Sequence, residues 1–149
     1  MTSRILFLCT GNYYRSRYAE ELFNHHAKGE RLDWRASSRG LAKKGWPENV
    51  GPMSRFALEA LRAKLIVPDG AARFPQSCSM ADFEGAQLVI ALKEAEHRPV
   101  IEQWFPEAAS RITYWHVDDI GFAHPSVALA MIDDQVDQLI AKLRLPAAR

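Results

Sequence analysis

I-L-F-L-C-T-G-N-Y-Y-R-S, the stretch from Ile5 to Ser16, decides how the rest of the chain is read. Leu6, Phe7 and Leu8 form a short apolar run of the kind a buried strand uses. At Cys9 the sequence turns polar and gains a glycine, and a helical pattern starts near Ser16. A loop between a strand and a helix directs its backbone N–H groups, and the positive end of the helix dipole, at one spot. That spot is a site for a tetrahedral oxyanion, and Cys9 stands at its edge.

The spacing Cys9-x5-Arg15-Ser16 supplies what phosphoryl transfer through a thiol requires. A free cysteine has a pKa near ~8.5, which oriented amides, a helix N-terminus and a guanidinium bring into the range of roughly 3.5 to 7.5, giving a thiolate able to attack phosphorus. Arg15 can fold back and hold two phosphoryl oxygens with its planar fork as charge builds in the transition state, which a lysine could not do. The Ser16 hydroxyl can donate to the sulfur, Gly11 lets the backbone approach the anion, and Asn12 suits a left-handed turn position. Thr10, Tyr13 and Tyr14 complete the loop, and with Gly11, Asn12 and Ser16 they are the expected substrate-binding residues. A cysteine at a strand end is otherwise a small buried hydrophobe, and Cys-x5-Arg alone recurs by chance. The whole string in register carries the reading.

That string resembles the N-terminal signature of the low-molecular-weight protein tyrosine phosphatases, a strand followed by C-x-G-N-x-C-R-S and a helix. C-T-G-N-Y-Y-R-S departs from it at the second cysteine, where Tyr14 stands. The resemblance implies one phosphatase-like domain over residues 1–149, with Cys9 as nucleophile, Arg15 as phosphate ligand and a phosphocysteine intermediate. It implies that the phosphomonoesters of phosphorylated proteins or small aryl phosphates are the substrates, with phosphotyrosine the expected one, that inorganic phosphate is a product, and that neither metal nor cofactor is required. It also matches Ser38, in S-S-R-G, to a serine that hydrogen-bonds the loop asparagine. On the residues alone, Ser38 reads equally as an ordinary turn serine.

The remaining chain is ordinary globular sequence. It has 149 residues, 48% hydrophobic and 25% charged, enough for one domain with a substantial core. A formal net charge of +1 gives no general pull toward nucleic acid. No apolar run approaches the ~18 residues that span a bilayer, and the N-terminus lacks a signal-peptide core. Two cysteines, Cys9 and Cys78, make no disulfide framework, so a cytoplasmic protein without membrane or nucleic-acid partners is expected. Cys78 itself reads as a buried, inert thiol.

Helical spacing runs from Ser16 to Lys28, with Gly29 as a stop. A strand is expected over Leu32 to Ser37, then a loop from Arg39 to Pro52, a helix over Met53 to Lys64 and irregular chain over Leu65 to Ser79. Leu88 to Leu92 reads as a fully buried strand, Glu94 to Phe105 as a helix despite Pro99, and Ile112 to Val117 as the last strand. Ile132, Val136, Leu139, Ile140 and Leu143 form a closing helical stripe. Strands alternating with helices predict an α/β domain: a four-stranded parallel sheet with helices on both faces, and the phosphate-binding loop after the first strand at the carboxyl ends.

Hydrolysis also needs a general acid to protonate the leaving oxygen. The segment W-H-V-D-D-I-G-F-A-H-P, after the last strand, offers Asp118 and Asp119. Aligning Val117 with the hydrophobic residue that precedes the family's Asp-Pro puts the acid at Asp119, though this chain lacks that proline and its aromatic is displaced. The residues alone leave Asp118 open, and rank His116 and His124 below both. Trp46, Tyr13 and Phe122 are candidate aromatic walls for a substrate ring. Lys43, Lys44 and Arg39 are candidates for favouring acidic flanking sequence. Two other functions fit the same loop: a thiol-coupled arsenate reductase, which with only Cys78 in reserve would need an external thiol, and a weakly catalytic module that only binds phosphate.

Overall fold

Alternation along the first strand sets the layers. In β1 (Ser3–Cys9), Ile5, Phe7 and Cys9 belong to one core cluster, while Leu6 and Leu8 belong to another on the opposite face. A strand buried on both faces must sit inside a sheet that is covered on both sides. The computed structural model, which describes residues 1–42 and 49–145, places β1 in that position. β2 (Trp34–Gly40), β3 (Leu88–Ala91) and β4 (Ile112–Tyr114) complete a four-stranded sheet of order β2-β1-β3-β4, parallel throughout.

Helix α1 (Arg15–Gly29) covers the first face through Ala19, Leu22 and Phe23. It is joined there by Ala57 and Leu61 of α2 (Arg55–Ala63) and by Ile132, Val136 and Ile140 of α5 (Pro125–Arg144). Phe83 of the short α3 (Met80–Glu84) and Ile101 of α4 (Glu94–Trp104) cover the second face. Each of these fully buried large side chains contributes about 1.5–3 kcal/mol relative to exposure. Among the described residues, no helix is long and apolar enough to cross a membrane.

The main departure from the sequence reading lies in β2, which starts at Trp34 and runs through Arg39 and Gly40 rather than ending at Ser37. Its last residues look like loop chemistry, but Ser38, Arg39 and Gly40 pair in register with Phe7, Leu8 and Cys9. Irregular chain was expected up to Ser79, and an isolated bridge from Ser77 to Gly40 ties its end to the sheet. Pro99 falls in the second turn of α4, where its missing N–H leaves the Ala95 carbonyl without that helical partner.

Because α1 carries the chain from β1 to β2 on one side, while β3 lies on the other side of β1, the carboxyl ends of β1 and β3 flank a topological switch point. In open parallel sheets this is where ligands bind, and Cys9 stands at its edge.

Candidate active site

The loop from Cys9 to Ser16 is held by side chains that saturate one another. Asn12 is fully buried with a positive φ of 49°. Its amide nitrogen donates to Ser16 Oγ and to Ser38 Oγ, both at 2.9 Å, while its Oδ1 accepts from the backbone N–H of Gln76 at 3.1 Å. Ser16 Oγ lies 2.9 Å from Cys9 Sγ. Since Asn12 already donates to that hydroxyl, the network assigns the serine hydrogen to the sulfur, which therefore accepts.

A second layer steadies the first. Ser38 Oγ donates to Glu20 and accepts from Arg73 Nη2 at 3.0 Å, and Arg73 also pairs with Glu20 at 3.2 Å. Arg17, almost wholly buried, donates to the carbonyls of Pro52 and Gly70 at 3.1 and 2.7 Å, linking α1 to the segments that border the loop. Gly40 is required for the close approach of β2: a Cβ there would lie 2.9 Å from the Thr10 carbonyl oxygen and 3.1 Å from Asn12 Cβ. The sequence showed Glu20 and Arg17 only as polar positions on a helix, and Gly40 only as loop.

Arg15 is 1% exposed. Its Nη1 donates to Glu96 Oε1 at 3.1 Å and to the Val117 carbonyl at 2.9 Å, and its Nη2 reaches Glu96 Oε2 at 2.6 Å. Burial acts against its charge, but the hydrogen bond to Glu96 and the charges of Cys9, Glu96 and Asp119 outweigh it, so the guanidinium is held more firmly protonated than usual. Burial likewise pushes the Glu96 carboxyl up. Hydrogen bonds from His97, Arg15 and Thr10 more than reverse this and hold it well below the usual carboxylate range.

His97 is fully buried, and its Nδ1 accepts from the backbone N–H of Lys93 at 3.0 Å. Its proton therefore sits on Nε2, 2.9 Å from Glu96 Oε2. Burial keeps the ring neutral against the pull of Glu96. Neither Glu96 nor His97 was singled out from the sequence. Their signal was position: they open the helix that follows β3, at the switch point.

Above this loop lies a cavity of about 500 Å³, lined among others by Cys9, Gly11, Arg15, Tyr13, Phe56 and Asp119. Asp119 Oδ2 stands 3.6 Å from Arg15 Nη2, whereas Asp118 turns away and pairs with Lys93 Nζ at 2.7 Å. Thr10 also points away from the cavity, donating to Glu96 and lying 3.2 Å from His97 Nε2. Tyr13 forms a wall and is pinned by its hydroxyl to the Val50 carbonyl. Tyr14 lines the cavity too, but its hydroxyl is buried with no hydrogen-bond partner among the described residues, and burial followed by the charge of Asp119 pushes its pKa up to about 12.

Other candidates lie elsewhere. Phe122 is 85% exposed and is not part of the cavity wall, which on that side is formed by Ile120. Arg39 pairs with Asp82 at 3.4 Å. His124 caps α5 by accepting from the Ser126 N–H, and His116 lines a separate shallow groove with Lys93 and Arg98. Cys78 packs against the cluster on the opposite face of the sheet from Cys9. Trp46, Lys43 and Lys44 fall outside the described residues.

Solved structures share this architecture. A low molecular weight protein tyrosine phosphatase from T. tengcongensis is 29% identical, with a TM-score of 0.77 over 95% of this chain and 99% of that one. The YwlE arginine phosphatase from Geobacillus stearothermophilus is 26% identical, with a TM-score of 0.73 over 95% and 93%. Wzb of Vibrio vulnificus, in complex with benzylphosphonate, is similar in fold at 18% identity and a TM-score of 0.79, over 95% and 99%. No curated protein matches in sequence. The family model for low molecular weight phosphotyrosine protein phosphatase matches residues 4–144. A match of that extent, on a chain whose first strand ends at a cysteine hydrogen-bonded to the serine after the loop arginine, makes this chain a member of that family.

Proposed function

We propose that the chain is a cysteine-dependent phosphomonoesterase acting on aryl phosphates, of which phosphotyrosine in a protein is the natural example. The observation that carries this is the convergence of Cys9, Arg15 and Asp119 on one cavity. In this reading Cys9, as a thiolate accepting from Ser16, attacks phosphorus. The bond from phosphorus to the ester oxygen breaks, and Asp119 gives its proton to the departing oxygen. Water then attacks the phosphocysteine while the Asp119 carboxylate takes its proton, the P–S bond breaks, and phosphate leaves.

The backbone of residues 10–16 and the Arg15 fork hold the phosphoryl oxygens throughout. The walls Tyr13, Phe56 and Ile120 suit an aromatic ring. The rim also carries Arg55, whose guanidinium lies 4.9 Å from the centre of the Phe56 ring. A cation there disfavours a guanidinium leaving group, which argues against arginine phosphate as substrate. Arsenate reduction is not favoured, because the family is one of phosphatases and Cys78 lies on the other face of the sheet. Two free cysteines fit work in a reducing, cytoplasmic setting.

Hydrolysis of an aryl phosphate tests the reading. Cys9→Ser and Arg15→Ala should each abolish nearly all turnover, with Cys9→Ser still binding phosphate through the amides. A chelator should change nothing. Turnover retained in Cys9→Ser would overturn it.

A further inference from the structure

The guanidinium of an arginine has two edges able to grip an oxyanion with paired hydrogen bonds, the end edge made by Nη1 and Nη2 and the side edge made by Nε and Nη2. Here the end edge is taken by both oxygens of Glu96, and the remaining Nη1 hydrogen by the Val117 carbonyl. The side edge has no hydrogen-bond partner among the described residues, although Asp119 Oδ2 stands 3.6 Å from Nη2 and Arg15 lines the cavity beside Cys9. Glu96 is fixed in turn. His97 Nε2 and the Thr10 hydroxyl both approach its Oε2, and the tautomer of His97 is set by the Lys93 N–H.

We propose that Glu96 is the positioning residue of this site. By occupying the end edge of Arg15, it turns the side edge toward the phosphoryl group, and His97 and Thr10 hold it in that pose. The proposal rests on the phosphatase reading above. It gives a reason for a full carboxylate to stand so close to an anion site. Glu96 opposes the substrate dianion electrostatically, which weakens ground-state binding. It also keeps the fork aimed where charge accumulates during transfer, and only interactions stronger in the transition state accelerate the chemical step. The same geometry gives Thr10 a structural task in place of contact with substrate.

The test compares Glu96→Ala and Glu96→Gln with the parent chain. Misaiming a clamp costs on the order of 10²-fold, so kcat of Glu96→Ala should fall by about that much while KM stays level or falls. Glu96→Gln, which keeps the shape and one acceptor oxygen, should fall less. Vanadate, which adopts the five-coordinate geometry of the transition state, should inhibit Glu96→Ala more weakly, while inhibition by phosphate is unchanged or stronger. Adding Glu96→Gln to Arg15→Ala should lower the residual rate no further, because Glu96 acts through Arg15.

The inference is overturned if kcat stays within about twofold of the parent chain, or if phosphate and vanadate weaken in equal measure, which is the signature of general disorder in the loop. If Glu96→Ala does not fold, Glu96→Gln carries the same comparison. Cys9→Ser run alongside separates the two levels: an inactive Cys9→Ser beside a fully active Glu96→Ala sinks the positioning role alone, whereas an active Cys9→Ser sinks the phosphatase reading.

Discussion

The two loops that meet over the cavity are built in opposite ways. The loop from Cys9 to Ser16 is buried and cross-braced, with Asn12 and Ser16 wholly inside and their polar atoms paired. The segment after β4 is exposed: Phe122 faces solvent, Ile120, Asp118 and Asp119 are each nearly half exposed, and one carboxylate turns in while its neighbour turns out. Binding a phosphoryl group demands many donors fixed in advance, because reorganising them during reaction would cost rate. Donating one proton demands a single group that can reach over different leaving groups. Rigidity is concentrated where the first task lies.

The contrast is broken most directly at the two aspartates. Asp119→Asn should lower kcat by about 10²–10⁴-fold for an alkyl or poor aryl leaving group, and much less for a nitrophenolate, which departs without protonation. Asp118→Asn should cost little, since its partner is Lys93 at the outer edge. A leaving-group dependence that follows Asp118 instead would mean that the pose of this loop differs in the working enzyme.

On the rigid side, one flaw in the packing is the Tyr14 hydroxyl, buried and without a partner among the described residues. Tyr14→Phe removes that penalty and should stabilise the protein by about 1 kcal/mol, a rise of ~2–4 °C in Tm, with kcat nearly unchanged. A drop in both would show that the hydroxyl has a partner during turnover.

These regions also differ in how far the sequence disclosed them. Strand, turn and helix start in Ile5–Ser16 are local properties, so the side chains that converge there are near neighbours in the chain, and their types and order suffice. The candidate general acid was narrowed by the residues alone to two adjacent aspartates, and only the family resemblance pointed to Asp119. Which of Asp118 and Asp119 faces inward depends on Lys93, 25 positions away and across the end of a neighbouring strand. Glu96 and His97 were invisible for the same reason: only the pairing of β1 with β3 brings them to Arg15 and Thr10. The end of β2 was misread because Ser38-Arg39-Gly40 has the composition of a turn. Tertiary context overrode propensity there, with Gly40 needed for close approach to Thr10 rather than for a bend.

Tyr14 is also expected to set how the enzyme meets an oxidant. Peroxide converts a reactive thiolate first to a sulfenic acid, which a nearby thiol captures as a disulfide that reductants reopen. Without one, oxidation continues to sulfinic and sulfonic acids, which dithiothreitol does not reverse. The residue preceding Arg15 brings a phenol to the site in place of sulfur. The remaining thiol, Cys78, packs on the far face of the sheet, and burial together with the charge of Asp82 pushes its pKa up to about 12, so it is a poor attacker as well as one on the wrong side of the sheet. Inactivation by hydrogen peroxide should therefore be largely permanent and slowed by bound phosphate or vanadate. Intact mass should show two or three added oxygens on Cys9, whereas recovery of full activity in dithiothreitol with a Cys9–Cys78 disulfide would refute it. On that outcome, a chain with this loop answers an oxidant once, where a second thiol beside the nucleophile would let the response reset.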